Sequence, residues 1–246
     1  MRRTFLALIC VGLISASVML AQQPGSAPAQ EGGQSPVQQL PTRSGLVVVL
    51  DPGHGGTDSG ARGAGGAVEK DVVLNFARIA RAELERQGFR VVMTRNDDST
   101  LSYDERAAIA NAHRDAVFIS LHVSSTGISG IARAYSYRFS TGVTETAVLN
   151  GLVPWDEAQQ PYVDASHHLA DILQLELAQR FAGSPAISTA APVRELRSIA
   201  APAVAIEISS VSVADPNSLT AFAPPLVTAI TRGLTIYRPA IPVGAP

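Results

Sequence analysis

Leu46-Val47-Val48-Val49-Leu50-Asp51-Pro52-Gly53-His54-Gly55-Gly56 decides how the chain is read. An unbroken aliphatic run, Leu46 to Leu50, stops at a turn, and the turn carries a histidine. Such a run suits a strand buried on both faces of a parallel or mixed sheet. Asp51-Pro52-Gly53 is expected to end that strand at once, because proline donates no amide hydrogen and glycine admits dihedrals closed to other residues. His54 then lies just past the carboxyl end of a core strand, the edge at which open α/β sheets bind ligands. The flanking glycines keep bulk away from the imidazole. Taken alone, the stretch is equally consistent with a histidine satisfied within a tight turn.

Outward from this strand, helix and strand alternate. Ala61 to Gly66 is rich in glycine but lacks the spacing of a phosphate-binding loop, and it reads as flexible. Val68-Glu69-Lys70-Asp71 then opens a helix. Val73, Phe76, Ala77, Ala80 and Leu84 share one of its faces, and Gly88 ends it. Glu69 stands at the helix start, where the dipole favours a carboxylate with no metal required. Phe89 to Thr94 is a second strand. Ser102-Tyr103-Asp104-Glu105 has the capping-box pattern of a helix that runs to about His113. Ala116 to Leu121 is another core strand, and it delivers His122 at its carboxyl end, repeating the geometry of His54.

Ile131 to Phe139 reads as a further strand. In Ser140 to Val163, Pro154, Trp155, Asp156 and Pro161 favour an ordered loop over a long helix. That loop is expected to lie near the pocket and to shape entry to it. Leu169, Ile172, Leu173 and Leu177 mark a helix ending near Gly183. His167 and His168 are adjacent at its start and point apart, which disfavours a shared metal. Ala203 to Ile208 is the last core strand, and Glu207 is its lone charge. A buried carboxylate is costly unless paired, metal-bound or protonated, which makes Glu207 a candidate functional group. Pro225 to Arg232 closes the domain as a helix with Gly233 as its stop.

The ends of the chain read differently. Residues 1–21 carry Arg2 and Arg3 before an apolar segment, the pattern of a secretory signal peptide. Residues 22–43, rich in Gln, Pro, Gly and Ser, read as a disordered linker. Residues 44–240 have the length of one α/β domain, and 241–246 form a loose tail. Cys10, the one cysteine, lies in the signal segment, so the exported chain would have no disulfide and no thiolate. Lys plus Arg minus Asp plus Glu gives 19 − 21 = −2, and 17 − 21 = −4 once Arg2 and Arg3 are removed. That balance offers no attraction to nucleic acid. No stable membrane insertion is expected after signal removal, and a monomer is expected.

The unusual polar residues are His54, Glu69, His122 and Glu207. Two imidazoles and one carboxylate make a catalytic zinc set with a fourth position for water, and zinc lowers that water's pKa to about 7. A separate carboxylate can take the proton and pass it to a leaving nitrogen. The same set serves amidases and peptidases.

The chain resembles the zinc-dependent N-acetylmuramoyl-L-alanine amidases that split bacterial peptidoglycan, over about Leu46 to Tyr237. Leu50-Asp51-Pro52-Gly53-His54-Gly55-Gly56 is similar to that family's first zinc-histidine motif. Glu69-Lys70-Asp71 with Leu74-Asn75 is similar to its zinc-glutamate motif. Thr94-Arg95 through Arg106 to Ala110-Asn111 resembles the segment before the second histidine, and Ser120-Leu121-His122 that histidine. Pro202-Ala203-Val204 with Ile206-Glu207 resembles the catalytic glutamate strand. The resemblance implies a three-layer α/β/α sandwich on a mixed, mostly parallel sheet. It implies Zn2+ held by His54, Glu69 and His122, with Glu207 as general base and acid. It implies peptidoglycan as substrate, cut in the periplasm or cell envelope between N-acetylmuramic acid and L-alanine. The chain departs from the family at Val123-Ser124-Ser125 and at Ile208-Ser209-Ser210-Val211-Ser212, positions that border the pocket there. A zinc peptidase acting within the stem peptide and a non-catalytic wall-binding protein are the competing readings.

Overall fold

A computed structural model describes residues 46–139 and 153–237. The signal segment, the linker, the tail and residues 140–152 of the expected access loop lie outside the described residues. Ten elements follow in order: β1 (Val47–Pro52), α1 (Glu69–Arg86), β2 (Arg90–Met93), α2 (Tyr103–Asn111), β3 (Ala116–Ser124), β4 (Ile131–Tyr137), α3 (Val163–Ala178), β5 (Thr189–Ala191), β6 (Ala203–Ser209) and α4 (Ala223–Ile236). Short 3-10 turns fall between them, including Trp155–Glu157, Gln160–Tyr162 and Arg194–Leu196.

The six strands lie in the order β2-β1-β3-β6-β4-β5. All neighbours are parallel except β4 against β6. From β1 the chain crosses to β2 on one side, and from β2 it returns past β1 to β3 on the other. Right-handed crossovers in opposite directions put their helices on opposite faces. The loops therefore diverge above the gap between β1 and β3, which is the switch point where α/β sheets bind ligands.

Strand alternation divides the core in two. Val48, Leu50, Ile119, Leu121, Ile206 and Ile208 pack with α1, α3 and α4 in a large cluster. Val47, Val49, Phe118, Ala203 and Ala205 face the other way, against Ala107 and Ala110 of α2 and Leu196 and Ile199. One layer of the α/β/α sandwich is thus thick and the other thin. The residues that continue the thin face toward the strand ends are Asp51, Ser120, His122 and Glu207, so the polar residues emerge where helical cover gives out.

Local details bear out and correct the sequence reading. The α1 face buries Val73, Phe76, Ala77, Ala80 and Leu84 as its periodicity requires. Ser102 and Glu105 form the capping box, with the Ser102 amide donating to Glu105 Oε2 at 2.7 Å. β1 continues through Asp51 and Pro52 instead of ending before them. Its β2 neighbour pairs only as far as Leu50, and β3 pairs as far as Pro52, so the missing proline amide falls where the ladder is already one-sided. The Ala61 to Gly66 loop is packed: Arg62 bridges Val68, and a Cβ on Gly63 would strike the Val211 carbonyl. Gly233 is inside α4 and does not stop it. A Cβ there would lie 2.6 Å from Leu173 Cδ2, so glycine admits the close approach of α3 and α4. The three-residue β5, exposed at the sheet edge, has no apolar pattern to announce it.

Candidate metal centre

His54 sits at the tip of a loop gripped from beneath by two buried arginines. Arg95 donates from Nε to the Pro52 carbonyl at 2.8 Å and from Nη2 to the Gly53 carbonyl at 2.9 Å. Arg106 donates from Nη2 to the His54 carbonyl at 2.6 Å and from Nη1 to Asp51 Oδ1 at 2.5 Å. Asp51 is itself buried and also accepts from Thr94 Oγ1 at 2.6 Å and Ser120 Oγ at 2.8 Å. This clamp holds His54 at φ 61°, a left-handed conformation that a residue with a Cβ adopts at a cost. Such strain persists where the surroundings over-determine the backbone, and here three consecutive carbonyls are fixed by guanidinium groups.

Glu69 enters from the first turn of α1 and is buried. Its Oε2 accepts from the Ala61 amide at 2.8 Å and lies 3.2 Å from His54 Nε2. Its Oε1 accepts from the Val123 amide at 2.9 Å and lies 3.0 Å from His122 Nδ1. Burial opposes its ionisation, but His122, His54 and these amides outweigh that and hold the carboxyl well below its ordinary range. The helix dipole alone would be satisfied by an exposed acid. Burial between two imidazoles is more than the dipole requires.

His122 comes from β3 and its ring lies against Gly53, where any Cβ would overlap it. The rings of His54 and His122 meet edge to face, 5.1 Å apart. One donor atom from each of His54, Glu69 and His122 falls within 4.8 Å of the others, so the three could hold a metal ion. Two imidazoles and an ionised carboxylate match the N/O preference of zinc. Without a metal the cluster attracts protons. Burial lowers the pKa of His122, but Glu195 and Glu69 on its two nitrogens lift it to about 10. His54 is raised by its hydrogen bond to Glu69, against burial.

Glu207 is directly opposite His122 in the β3–β6 register and therefore shares its face of the sheet. On its other side it faces Arg133 of β4. Burial pushes its carboxyl upward, the charges of Glu69 and Glu195 push the same way, and His122 and Arg133 pull it down. A carboxyl raised by burial and by neighbouring carboxylates suits a group that accepts and returns a proton.

The structure brings all four sequence-identified residues to one edge of the sheet. His167 is elsewhere, with Nδ1 3.4 Å from Ser136 Oγ and Nε2 3.6 Å from Asp171 Oδ2. Sequence reasoning missed two carboxylates. Asp58 Oδ2 lies 2.8 Å from His54 Nδ1, and Glu195 Oε1 lies 3.3 Å from His122 Nε2. Both line a cavity of about 170 Å³ with His54, His122, Tyr103 and Arg106. Asp58 follows the histidine motif by four residues and was within reach of a local reading; Glu195 carried no signal. The serines that depart from the family pattern bond among themselves, with Ser124 Oγ donating to Ser209 Oγ at 3.2 Å and Ser212 Oγ to the Ser125 carbonyl at 2.8 Å, and they do not line that cavity.

Comparison with known proteins matches residues 48–233 to the family model described as N-acetylmuramoyl-L-alanine amidase (Amidase_3). The chain belongs to this amidase family. Among the relatives, the amidase AmiC of Neisseria meningitidis is 47% identical over 79 residues, 32% of this chain, and the match spans only 19% of that protein's length. The amidase AmiA of Salmonella typhimurium is 29% identical over 233 residues, covering 83% of this chain and 80% of that one. The solved structure of the amidase AmiC2 of Nostoc punctiforme superposes with a TM-score of 0.59 at 27% identity, covering 77% of this chain and 95% of that one. In this amidase domain the α/β/α sandwich read from the sequence is the family's fold.

Proposed function

We propose that the chain is an exported zinc amidase that hydrolyses the bond between the lactyl group of N-acetylmuramic acid and L-alanine in peptidoglycan. The observation that carries this reading is the convergence of His54, Glu69 and His122 beside Glu207, inside a domain of the amidase family. His54, Glu69 and His122 hold the zinc. Zinc at these residues supplies Lewis-acid activation of water and of the scissile carbonyl. Glu207 takes a proton from the attacking water at its carboxylate and returns it to the leaving alanine nitrogen, so that the C–N bond breaks with a neutral amine leaving and not a nitrogen anion. Glu69, with both oxygens occupied by backbone amides and imidazoles, is not free for this duty. Arg95 and Arg106 hold the Gly53 and His54 carbonyls and so support the loop that presents His54.

Residues 1–21 direct export and are removed, residues 22–43 tether the domain, and residues 44–240 act as a monomer on the wall. The stretch Pro216–Ile236 is apolar enough to span a membrane by composition. In the fold, however, its Leu219, Leu226, Ile230 and Leu234 are core residues, in keeping with a domain that does not insert.

End-group analysis of digested peptidoglycan tests the reading. New L-alanine amino termini with uncut glycan strands are expected. New reducing sugar ends, or amino termini only at inner stem residues, would overturn it in favour of a glycosidase or a stem peptidase.

A further inference from the structure

Each imidazole of the cluster has a carboxylate on both sides. His54 presents Nε2 to Glu69 at 3.2 Å and Nδ1 to Asp58 at 2.8 Å. His122 presents Nδ1 to Glu69 at 3.0 Å and Nε2 to Glu195 at 3.3 Å. Glu69 is common to both and belongs to the group whose donor atoms converge; Asp58 and Glu195 stand behind the rings and do not belong to it. A neutral imidazole has one nitrogen lone pair and one N–H. If the nitrogen beside Glu69 gives its lone pair to a metal, the nitrogen on the far side carries the hydrogen and needs an acceptor. Carboxylates behind metal-bound histidines meet that need and orient the ring.

Glu195 is placed for this by the fold and not by chance exposure. Its side chain is only 15% exposed. It lies in the Arg194–Leu196 turn, whose Leu196 is fully buried in the thin core layer. The Arg194 guanidinium stacks over the Tyr103 ring at 5.0 Å. The Leu196 amide donates to the Val193 carbonyl at 3.2 Å, and the Gln159 amide donates to the Arg197 carbonyl at 3.1 Å. Gly53 presses the other side of the His122 ring, so the imidazole is held on three sides.

We infer that Glu195 is a positioning residue that accepts the Nε2 hydrogen of His122 and thereby sets the tautomer and orientation in which His122 offers Nδ1 to the metal. The inference rests on the reading of His54, Glu69 and His122 as zinc ligands. Glu195 lies outside the converging donor group, so its action on the metal runs through His122.

Competition with a chromophoric chelator gives the zinc dissociation constant for the full chain and for Glu195→Gln and Glu195→Ala. Loss of an outer partner of this kind weakens metal binding about 10- to 100-fold. Glu195→Ala is expected in that range. Glu195→Gln is expected between it and the parent, because the amide oxygen still accepts the N–H but without charge. Each variant should still bind one zinc at saturation, and the visible spectrum of the cobalt-substituted protein should keep its intensity, reporting an unchanged ligand number. Nitrogen-15 NMR of the zinc-bound parent should find the hydrogen of His122 on Nε2, a readout that needs no variant to fold. Equal zinc affinity in all three chains, a hydrogen on Nδ1, or a cobalt spectrum that loses a ligand in Glu195→Ala would each overturn the inference, the last by making Glu195 a ligand itself. If His54→Ala and His122→Ala keep zinc, the metal reading fails as well; if they lose zinc while the Glu195 series is flat, only this inference fails.

Discussion

Replacing Arg106 by methionine should destabilise the domain far more than a surface charge change. Arg106 and Asp51 have side chains 5% and 1% exposed and meet at 2.5 Å. Met keeps much of the buried volume but takes away the ion-pair partner of the Asp51 carboxylate, leaving only the more distant charge of Arg95. Breaking a buried pair by removing one partner costs about 3–5 kcal/mol, because a charge stays behind in a poor solvent. Thr94 Oγ1 and Ser120 Oγ still donate to that carboxylate, which places the loss near the lower end, about 3 kcal/mol. For a domain of this size each kcal/mol lowers Tm by about 2–4 °C, so a fall of roughly 6–12 °C is expected. Thermal unfolding of the metal-free protein at pH 7, followed by circular dichroism, measures it. The Asp51→Asn and Arg106→Met double variant should lose less than Arg106→Met alone, since the stranded charge is gone. The freed His54 carbonyl should also weaken zinc binding, because among the described residues Arg106 is the group that holds the φ 61° turn from that side. A loss below about 1 kcal/mol, the worth of an exposed pair, would refute the reasoning, as would a double variant less stable than the single.

Three further outcomes are expected. Glu207→Gln should fold and bind zinc normally while turnover on peptidoglycan falls about 10²- to 10⁴-fold, the worth of general acid–base catalysis; near-normal turnover would remove Glu207 from the chemistry, and loss of zinc would make it a ligand. Gly53→Ala should lose zinc affinity before it loses its fold, because the new Cβ overlaps the His122 ring; unchanged affinity would show that the ring can move. Zinc affinity should rise with pH, since metal must displace a proton from His122, whose pKa of about 10 in the metal-free protein lies above the working range. The slope should be at least tenfold per pH unit between pH 6 and pH 8, read by chelator competition, and a flat profile would contradict a protonated His122.

Much of the site was legible because its signals are local. Leu46 to Leu50 and Ala116 to Leu121 are uncharged runs that end in a histidine, and a strand's period of two carries its last residues to a known face. Glu207 stood out as the lone charge in an apolar strand, and the register places it opposite His122. The α1 face and the Ser102 capping box were equally plain, since helix periodicity and end-capping involve residues three or four apart. Other features depend on parts of the chain that meet only after folding. Asp51 looked like a strand terminator, but its burial and its place inside β1 follow from Arg106, 55 residues later. Gly233 looked like a helix stop, but its role is set by Leu173 on a different helix. Glu195 sits in a short turn with no periodicity, and an acid in a loop is ordinarily a solvated one. Only the return of the chain beneath β3 brings it within 3.3 Å of His122, because sheet order and the closing of the thin layer, and not any local preference, decide which loop faces that ring.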